Sequence, residues 1–190
     1  RQFGDEKRYI LAKDTKWNYL RGNAGAQSIT TSIANDRLII QRDLEGGVGN
    51  DKQLQVHTHQ GNDRILGDQG SSQIKGGRGD DFISPDLGID EVFGGPGFDT
   101  VDYSNLAHSI TVSTNKDGNL EAIINNESSA LLSKDTLHYH KIKDKLYSGV
   151  ESIRSMGGSN INLSDAIKPT EGIAVNEASY LIATGSGSEI

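Results

Sequence analysis

Residues 58–102 read THQGNDRIL, GDQGSSQIK, GGRGDDFIS, PDLGIDEVF and GGPGFDTVD, five successive blocks of nine. The fourth position is Gly61, Gly70, Gly79, Gly88 and Gly97, and the eighth is Ile65, Ile74, Ile83, Val92 and Val101. Leu, Ile, Val and Phe make up 45 of the 190 residues. Five large aliphatic residues in five eighth positions would then arise by chance about once in a thousand trials, so the period is structural. The sixth position carries Asp63, Ser72, Asp81, Asp90 and Asp99.

Each column has a physical reason. Glycine supplies the positive φ that a tight turn needs. A turn of about six residues followed by about three extended ones is too short for a hairpin strand, but it makes half a coil of a solenoid. One aliphatic side chain per half-coil then points inward and stacks on its neighbours. Two blocks complete a coil, so blocks 18 residues apart share a side, and Asp63, Asp81 and Asp99 fall into one column. Carboxylates stacked about 5 Å apart would repel one another. A hard divalent cation between successive turns removes that conflict. Carboxylate plus turn carbonyl oxygens is the ligand set calcium prefers, whereas magnesium demands tighter octahedral geometry and keeps its waters.

The frame extends upstream. Residues 22–30 put Gly25 and Ile29 in the expected columns, and residues 31–39 put Leu38 in the apolar one. It then slips: GGVGND at 46–51 reads as a good turn, and the next starts at Thr58. Six inserted residues are expected near 40–45 and three near 55–57.

Composition fits a solenoid with a thin core. Hydrophobic residues are 34% of the chain and 23 residues are glycine, which brings no side chain to bury. No apolar run approaches the length of a membrane-spanning helix, so no membrane span is expected. The net charge of −7 argues against nucleic acid as a partner. With no cysteine, disulfides and Cys-ligated zinc are impossible.

The blocks resemble GGxGxDxUx, the calcium-binding nonapeptide of RTX (repeats-in-toxin) proteins, strongly over 46–102 and weakly over 13–45. The resemblance implies an all-β fold: a right-handed parallel β-roll, or solenoid, with a C-terminal β cap. It divides the chain into degenerate repeats or an N-terminal flank at 1–45, the calcium-binding roll at 46–102, and a capping region at 103–190. It also implies Ca2+ between turns of blocks two apart. Carbonyls at positions 1, 3 and 5 of one turn meet positions 2 and 4 and the position-6 Asp of the other. Carried over, one site uses Thr58, Gln60 and Asn62 with Gly77, Gly79 and Asp81. A second uses Gly76, Arg78 and Asp80 with Gly95, Gly97 and Asp99. On the opposite side Gly67, Gln69 and Ser71 face Asp86, Gly88 and Asp90. A fourth pairing joins 46–50 to 68–72, where Ser72 replaces the Asp, and Asp63 needs a turn earlier than 58, where the frame is broken. Two or three ions are expected.

After Asp102 the pattern changes. SITV at 109–112 and NLEAII at 119–124 flank Asn115-Lys116-Asp117-Gly118, a hairpin signal. Residues 131–147 read as polar strand or irregular chain, and GVESIRS at 149–155 as an extended apolar stretch. GGSNINLSD at 157–165 looks like a degenerate further turn, and TGSGSE at 184–189 like a linker or another such turn. A solenoid end exposes unpaired strands, which gives a cap a clear purpose.

Other motifs have plainer readings. His57-Thr58-His59 and His138-Tyr139-His140 each space two imidazoles as a zinc or copper pair would need, but no third ligand is implied. Arg78-Gly79-Asp80 spells an integrin tripeptide inside a turn that calcium already requires. Lys141, Lys143 and Lys145 read as a solvated strand face. No Ser/His/Asp set or carboxylate pair demands catalysis, so no enzyme is expected. The function the resemblance implies is a calcium-binding module that folds on export and supports the secretion and folding of a large extracellular bacterial protein of the toxin kind. Its implied partners are the type I secretion machinery and a possible host-surface receptor, and its location is extracellular. The alternatives are an adhesin or receptor-binding module displayed on the roll, or a noncatalytic domain of a secreted hydrolase.

Overall fold

About three residues of each nine-residue block are extended, which turns the apolar residue inward and its two neighbours to the opposite face. The computed structural model describes residues 8–10, 17–21, 28–31, 33–41, 53–106, 108–115, 119–125, 133–138, 140–142, 145–147, 149–155, 160–162 and 180–183. These residues form eighteen short strands, β1–β18 in chain order, and no helix.

The strands alternate between two sheets. One holds β1 (Arg8–Ile10), β3 (Ser28–Thr30), β5 (Leu54–His57), β7 (Ser72–Lys75) and β9 (Glu91–Phe93), followed by β13 (Ser133–Leu137), β12 (Leu120–Asn125), β11 (Ser109–Thr114) and β18 (Tyr180–Ala183). The other runs β17 (Asn160–Asn162), β16 (Ser152–Arg154), β10 (Thr100–Asp102), β8 (Phe82–Ser84), β6 (Arg64–Leu66), β4 (Arg37–Gln41) and β2 (Trp17–Arg21). A separate pair joins β14 (His140–Ile142) to β15 (Lys145–Tyr147). From β1 to β10 all pairing is parallel. This is the two-sheet arrangement of a β-roll.

Register confirms the coil. Ile74 pairs Val92 and Val56 pairs Ile74 in one sheet, Ile65 pairs Ile83 and Ile83 pairs Val101 in the other, each 18 residues apart. Ile29, Val56, Ile74 and Val92 make one buried file; Leu38, Ile65, Ile83 and Val101 make the other. All eighth-position residues of 58–102 are fully buried. Each contributes about 1.5–3 kcal/mol by burial, but the core is only two files wide.

The upstream frame differs from the sequence expectation. Ser28 pairs Gln55 and Arg37 pairs Arg64, both 27 residues apart. Leu38 and Val56 lie 18 apart where the frame gives nine, while Val56 and Ile65 keep the nine. The whole insertion therefore falls between β4 and β5, and none falls at 55–57. Residues 54–57 are strand, with Leu54 and Val56 buried and Gln55 and His57 exposed. The turn expected at 46–51 lies outside the described residues.

Beyond the repeats the chain returns to both sheets. Leu137 pairs Val92 in parallel, and Ile153 pairs Val101 in parallel, so each apolar file gains one more buried residue. The hairpin expected around 115–118 is present as β11 and β12, with the Asn115 N–H donating to the Asn119 carbonyl at 2.8 Å. Residues 160–162 do not make a further parallel turn: β17 runs antiparallel to β16. The tail at 184–189 lies outside the described residues, as do Lys143 and the surroundings of Lys141 and Lys145.

Candidate metal centre

The turns stack as tightly as the strands. The Arg78 N–H donates to the His59 carbonyl at 2.8 Å, the Gly77 N–H to Gly94 at 2.8 Å, and the Gly79 N–H to Pro96 at 3.0 Å. A Cβ on Gly77 would overlap the His59 carbonyl, and one on Gly79 the Gly61 carbonyl. Both glycines also have positive φ, 117° and 127°, so at these positions close approach and backbone conformation each demand glycine. In the block starting at Thr58 the second position is His59, at φ 71°, and in the block starting at Pro85 it is Asp86, at φ 75°. His and Asp tolerate the left-handed region better than most residues, which is how these turns keep their shape without Gly-Gly.

The expected turn pairs are neighbours. Turn 58–63 stacks on 76–81: Gln60 bridges Arg78 in parallel, Thr58 Oγ1 donates to the Gly76 carbonyl at 2.8 Å, and the Asp80 N–H donates to Asn62 Oδ1 at 3.0 Å. Turn 76–81 stacks on 94–99: the Gly76 N–H donates to the Phe93 carbonyl, the Phe98 N–H to Asp80 Oδ1, and a Cβ on Gly95 or Gly97 would overlap the Gly77 or Gly79 carbonyl. On the other side the Gly67 N–H donates to the Ser84 carbonyl at 2.7 Å, and a Cβ on Gly88 would crowd the Gly70 carbonyl at 3.0 Å. Ser71 there accepts from the Leu54 N–H, and Gln69 is exposed. Asp86 is held above the usual carboxylate range by burial and then by nearby Asp68. For the pairing proposed between 46–50 and 68–72, the register differs: Leu54 stands opposite Ser72, three residues off the sequence frame.

The sixth position carries the distinctive chemistry. The Asp63 N–H donates to Asp81 Oδ1 at 2.8 Å, and the Asp81 N–H to Asp99 Oδ1 at 2.9 Å. Upstream, the Asp36 N–H donates to Asp63 Oδ1 at 2.7 Å; downstream, the Asp99 N–H donates to Glu151 Oε2 at 2.7 Å. Opposite, the Ser72 N–H donates to Asp90 Oδ1 and the Asp90 N–H to Asp135 Oδ1. One oxygen of each carboxylate is thus spent on the neighbouring coil's backbone. The second oxygens of Asp63, Asp81 and Asp99 are buried and have no hydrogen-bond partner among the described residues.

Such atoms are costly unless something neutralises them. Burial pushes Asp63 to about 6, Asp81 to about 7 and Asp99 to about 8, and neighbouring carboxylates of the column add to each rise. The column is a set of stacked carboxylate oxygens that, among the described residues, lack a partner for the second oxygen of Asp63, Asp81 and Asp99. That fits a hard divalent cation of the calcium type, held by side-chain and turn carbonyl oxygens.

Three acidic residues of this arrangement escape the nonapeptide frame as read. Asp36 sits at position 6 of block 31–39, whose eighth position, Leu38, already marked it. It supplies the earlier turn that Asp63 needs, with Asn35 Oδ1 accepting from the Asn62 N–H. Asp135 and Glu151 occupy equivalent places at the downstream ends, at intervals with no period to reveal them. Asp135 is fully buried, and its Oδ2 accepts from the Tyr103 hydroxyl at 2.7 Å. Of the two histidine pairs, the side chain of His140 lies outside the described residues. His57 and His59 rings lie 4.1 Å apart and tilted, and His138 stacks on Phe93. Among the described residues no group of three His, Cys, Asp or Glu side chains gathers as a metal cage; the column instead needs backbone oxygens.

No curated protein and no solved structure matches the chain. The RTX calcium-binding nonapeptide repeat matches residues 57–92 in four copies. The matched stretch contains the stacked turns 58–63 and 76–81 and the aspartates Asp63, Asp81 and Asp90, and so resembles a run of RTX calcium-binding repeats.

Proposed function

We propose that this chain is a calcium-driven folding module of a secreted bacterial protein. The observation that carries the reading is the file Asp63, Asp81 and Asp99, each with a buried carboxylate oxygen unpartnered among the described residues, the first two inside the stretch that matches the calcium-binding repeat. The residues that would hold the ions are those of the stacked turns: Thr58, Gln60 and Asn62 with Gly77, Gly79 and Asp81; Gly76, Arg78 and Asp80 with Gly95, Gly97 and Asp99; and Gly67, Gln69 and Ser71 with Asp86, Gly88 and Asp90. Bound there, calcium supplies the missing countercharge. A ligand that binds only the folded state stabilises it by RT ln(1 + [L]/Kd). Where calcium is scarce, the two-file core is too thin and the carboxylates repel, so the chain stays extended, as passage through an export channel requires. Outside, calcium near the millimolar range meets sites of extracellular type, with Kd of roughly 10⁻⁴–10⁻³ M, and a right-handed roll closes. Residues 103–190 then serve as its cap, laying β13 and β16 on the last coil.

Circular dichroism tests this. In EGTA the chain should be mostly disordered, millimolar calcium should add β signal, and equal magnesium should add far less. An unchanged spectrum and melting temperature across these conditions refutes the reading.

A further inference from the structure

Residues next to the buried file point outward, and in β5, β7 and β9 these are His57, Lys75 and Phe93, in register across the sheet. The Lys75 ammonium lies 5.6 Å over the Phe93 ring. The His57 ring lies tilted against His59, and Arg78 projects from the adjoining turn, exposed. Together with Ile33 these side chains line an open cleft of about 380 Å³.

Three properties define what fits. First, the cleft gathers Lys75, Arg78 and two imidazoles on a chain of net charge −7, and neither Lys75 nor Arg78 forms an ion pair among the described residues. Among the described residues no carboxylate lines the cleft. A cleft lined by two cations and no acid on an acidic molecule favours an anion. Second, Ile33 and Pro96 add exposed apolar surface beside the polar Gln60 amide and the imidazoles. The ligand therefore carries apolar C–H faces and hydroxyls as well as charge. Third, the cleft is open to solvent rather than enclosed, which leaves room for one unit of a longer chain. A densely charged polyanion would be repelled by the rest of the molecule, whereas a chain with sparse carboxylates would not.

We propose that this cleft binds a carboxylated sugar of an acidic glycan. The carboxylate pairs with Lys75 and Arg78, the hydroxyls meet His57, His59 and Gln60, and a sugar face lies on Ile33 and Pro96. The inference rests on the folding reading, because Gln60, Gly77 and Arg78 belong both to the cleft wall and to the calcium turns. Glycan and calcium should then favour one another's binding.

The full-length chain is titrated calorimetrically with a hyaluronan tetrasaccharide and with uncharged chitotetraose, in calcium and in EGTA, alongside circular dichroism. Saturable hyaluronan binding in calcium is expected, weaker by about tenfold or more for chitotetraose and for Lys75→Glu, and kept by Lys75→Arg. The Lys75 side chain is exposed and touches the roll only through its contact with the Phe93 ring, so the calcium response of Lys75→Glu should stay close to that of the parent chain. Equal binding of the two sugars, equal competition by inorganic sulfate, or no binding by the folded parent chain overturns the proposal. A chain that is folded without calcium and binds hyaluronan in EGTA refutes the folding reading and upholds the cleft.

Discussion

At position 6 a single carboxylate has two duties: Oδ1 receives the backbone N–H of the coil before, and Oδ2 faces a buried space with no protein donor. Asp81 shows both, between Asp63 and Asp99. Ser72 occupies the same position opposite, yet what it gives Asp90 is its main-chain N–H, which any residue would give. Asp81→Ala should therefore weaken calcium binding by roughly ten- to a hundredfold, the scale on which lost coordinating support is felt, while Ser72→Ala changes it little. Calorimetric titration of both variants decides; equal losses would mean that the two positions are equivalent and the column assignment is wrong. His59 gives a second test. Its φ of 71° costs an L residue about 1–2 kcal/mol, partly offset in a glycine by backbone entropy of about 0.5–1 kcal/mol. His59→Gly should raise stability in saturating calcium by up to about 1 kcal/mol, seen as a melting temperature higher by roughly 2–4 °C.

Strands are where the sequence was legible and where it stopped being so. Ile65, Ile74, Ile83, Val92 and Val101 announced two parallel sheets, because one inward residue per nine leaves no other way to bury them. The insertion expected at 55–57 is absent, because a turn motif sets only local geometry, whereas register is set by what must be buried. LQVH at 54–57 alternates apolar and polar as a half-buried strand does, and that alternation placed Leu54 and Val56 inside. Asp36 is legible from Leu38, which sits two residues on in the same block of nine. Asp135 and Glu151 were not readable, since each is brought to its column by chain that has left the repeat. The same ends carry an element-scale prediction. Tyr103 donates its hydroxyl to Asp135 in one sheet and its N–H to the Arg154 carbonyl in the other, so it ties β13 to β16. Tyr103→Phe leaves a buried carboxylate oxygen short of its donor, a loss of about 1–3 kcal/mol. Calcium-induced folding should then need more calcium, with a lower melting temperature. Truncation after Ser104 should do more: it bares Val92, Val101 and two open strand edges, and it removes the acceptors for the Asp90 and Asp99 N–H groups. If 1–104 folds as a monomer at the same calcium concentration and with the same steepness, residues 105–190 are no cap and an independent binding role for them moves ahead.

For the whole molecule, protons and calcium compete for one set of oxygens, and this fixes the sign of its pH response. In the calcium-free fold burial holds Asp63 near 6, Asp81 near 7 and Asp99 near 8, against about 3.8 for an exposed carboxyl. Between pH 4 and 8, therefore, the folded chain holds protons that the unfolded chain has released, and stability falls as pH rises through that window. Calcium reverses the case. With the cation bound the carboxylates are ionised in the fold and nearly so in the unfolded chain, so folding is almost independent of pH from about 5 to 8; it fails below about 4, where protons displace the ion. Two opposite profiles should result. In calcium-stripped buffer, β signal should be low at pH 8 and recover in part toward pH 5; in millimolar calcium it should be high and flat over the same range and fall only in stronger acid. Light scattering must accompany the measurement, because the isoelectric point near 5.2 lies within it. A calcium-free signal that stays flat, or rises with pH, would show that the buried carboxylates do not control folding, and countercharge would no longer support the proposed calcium-driven fold.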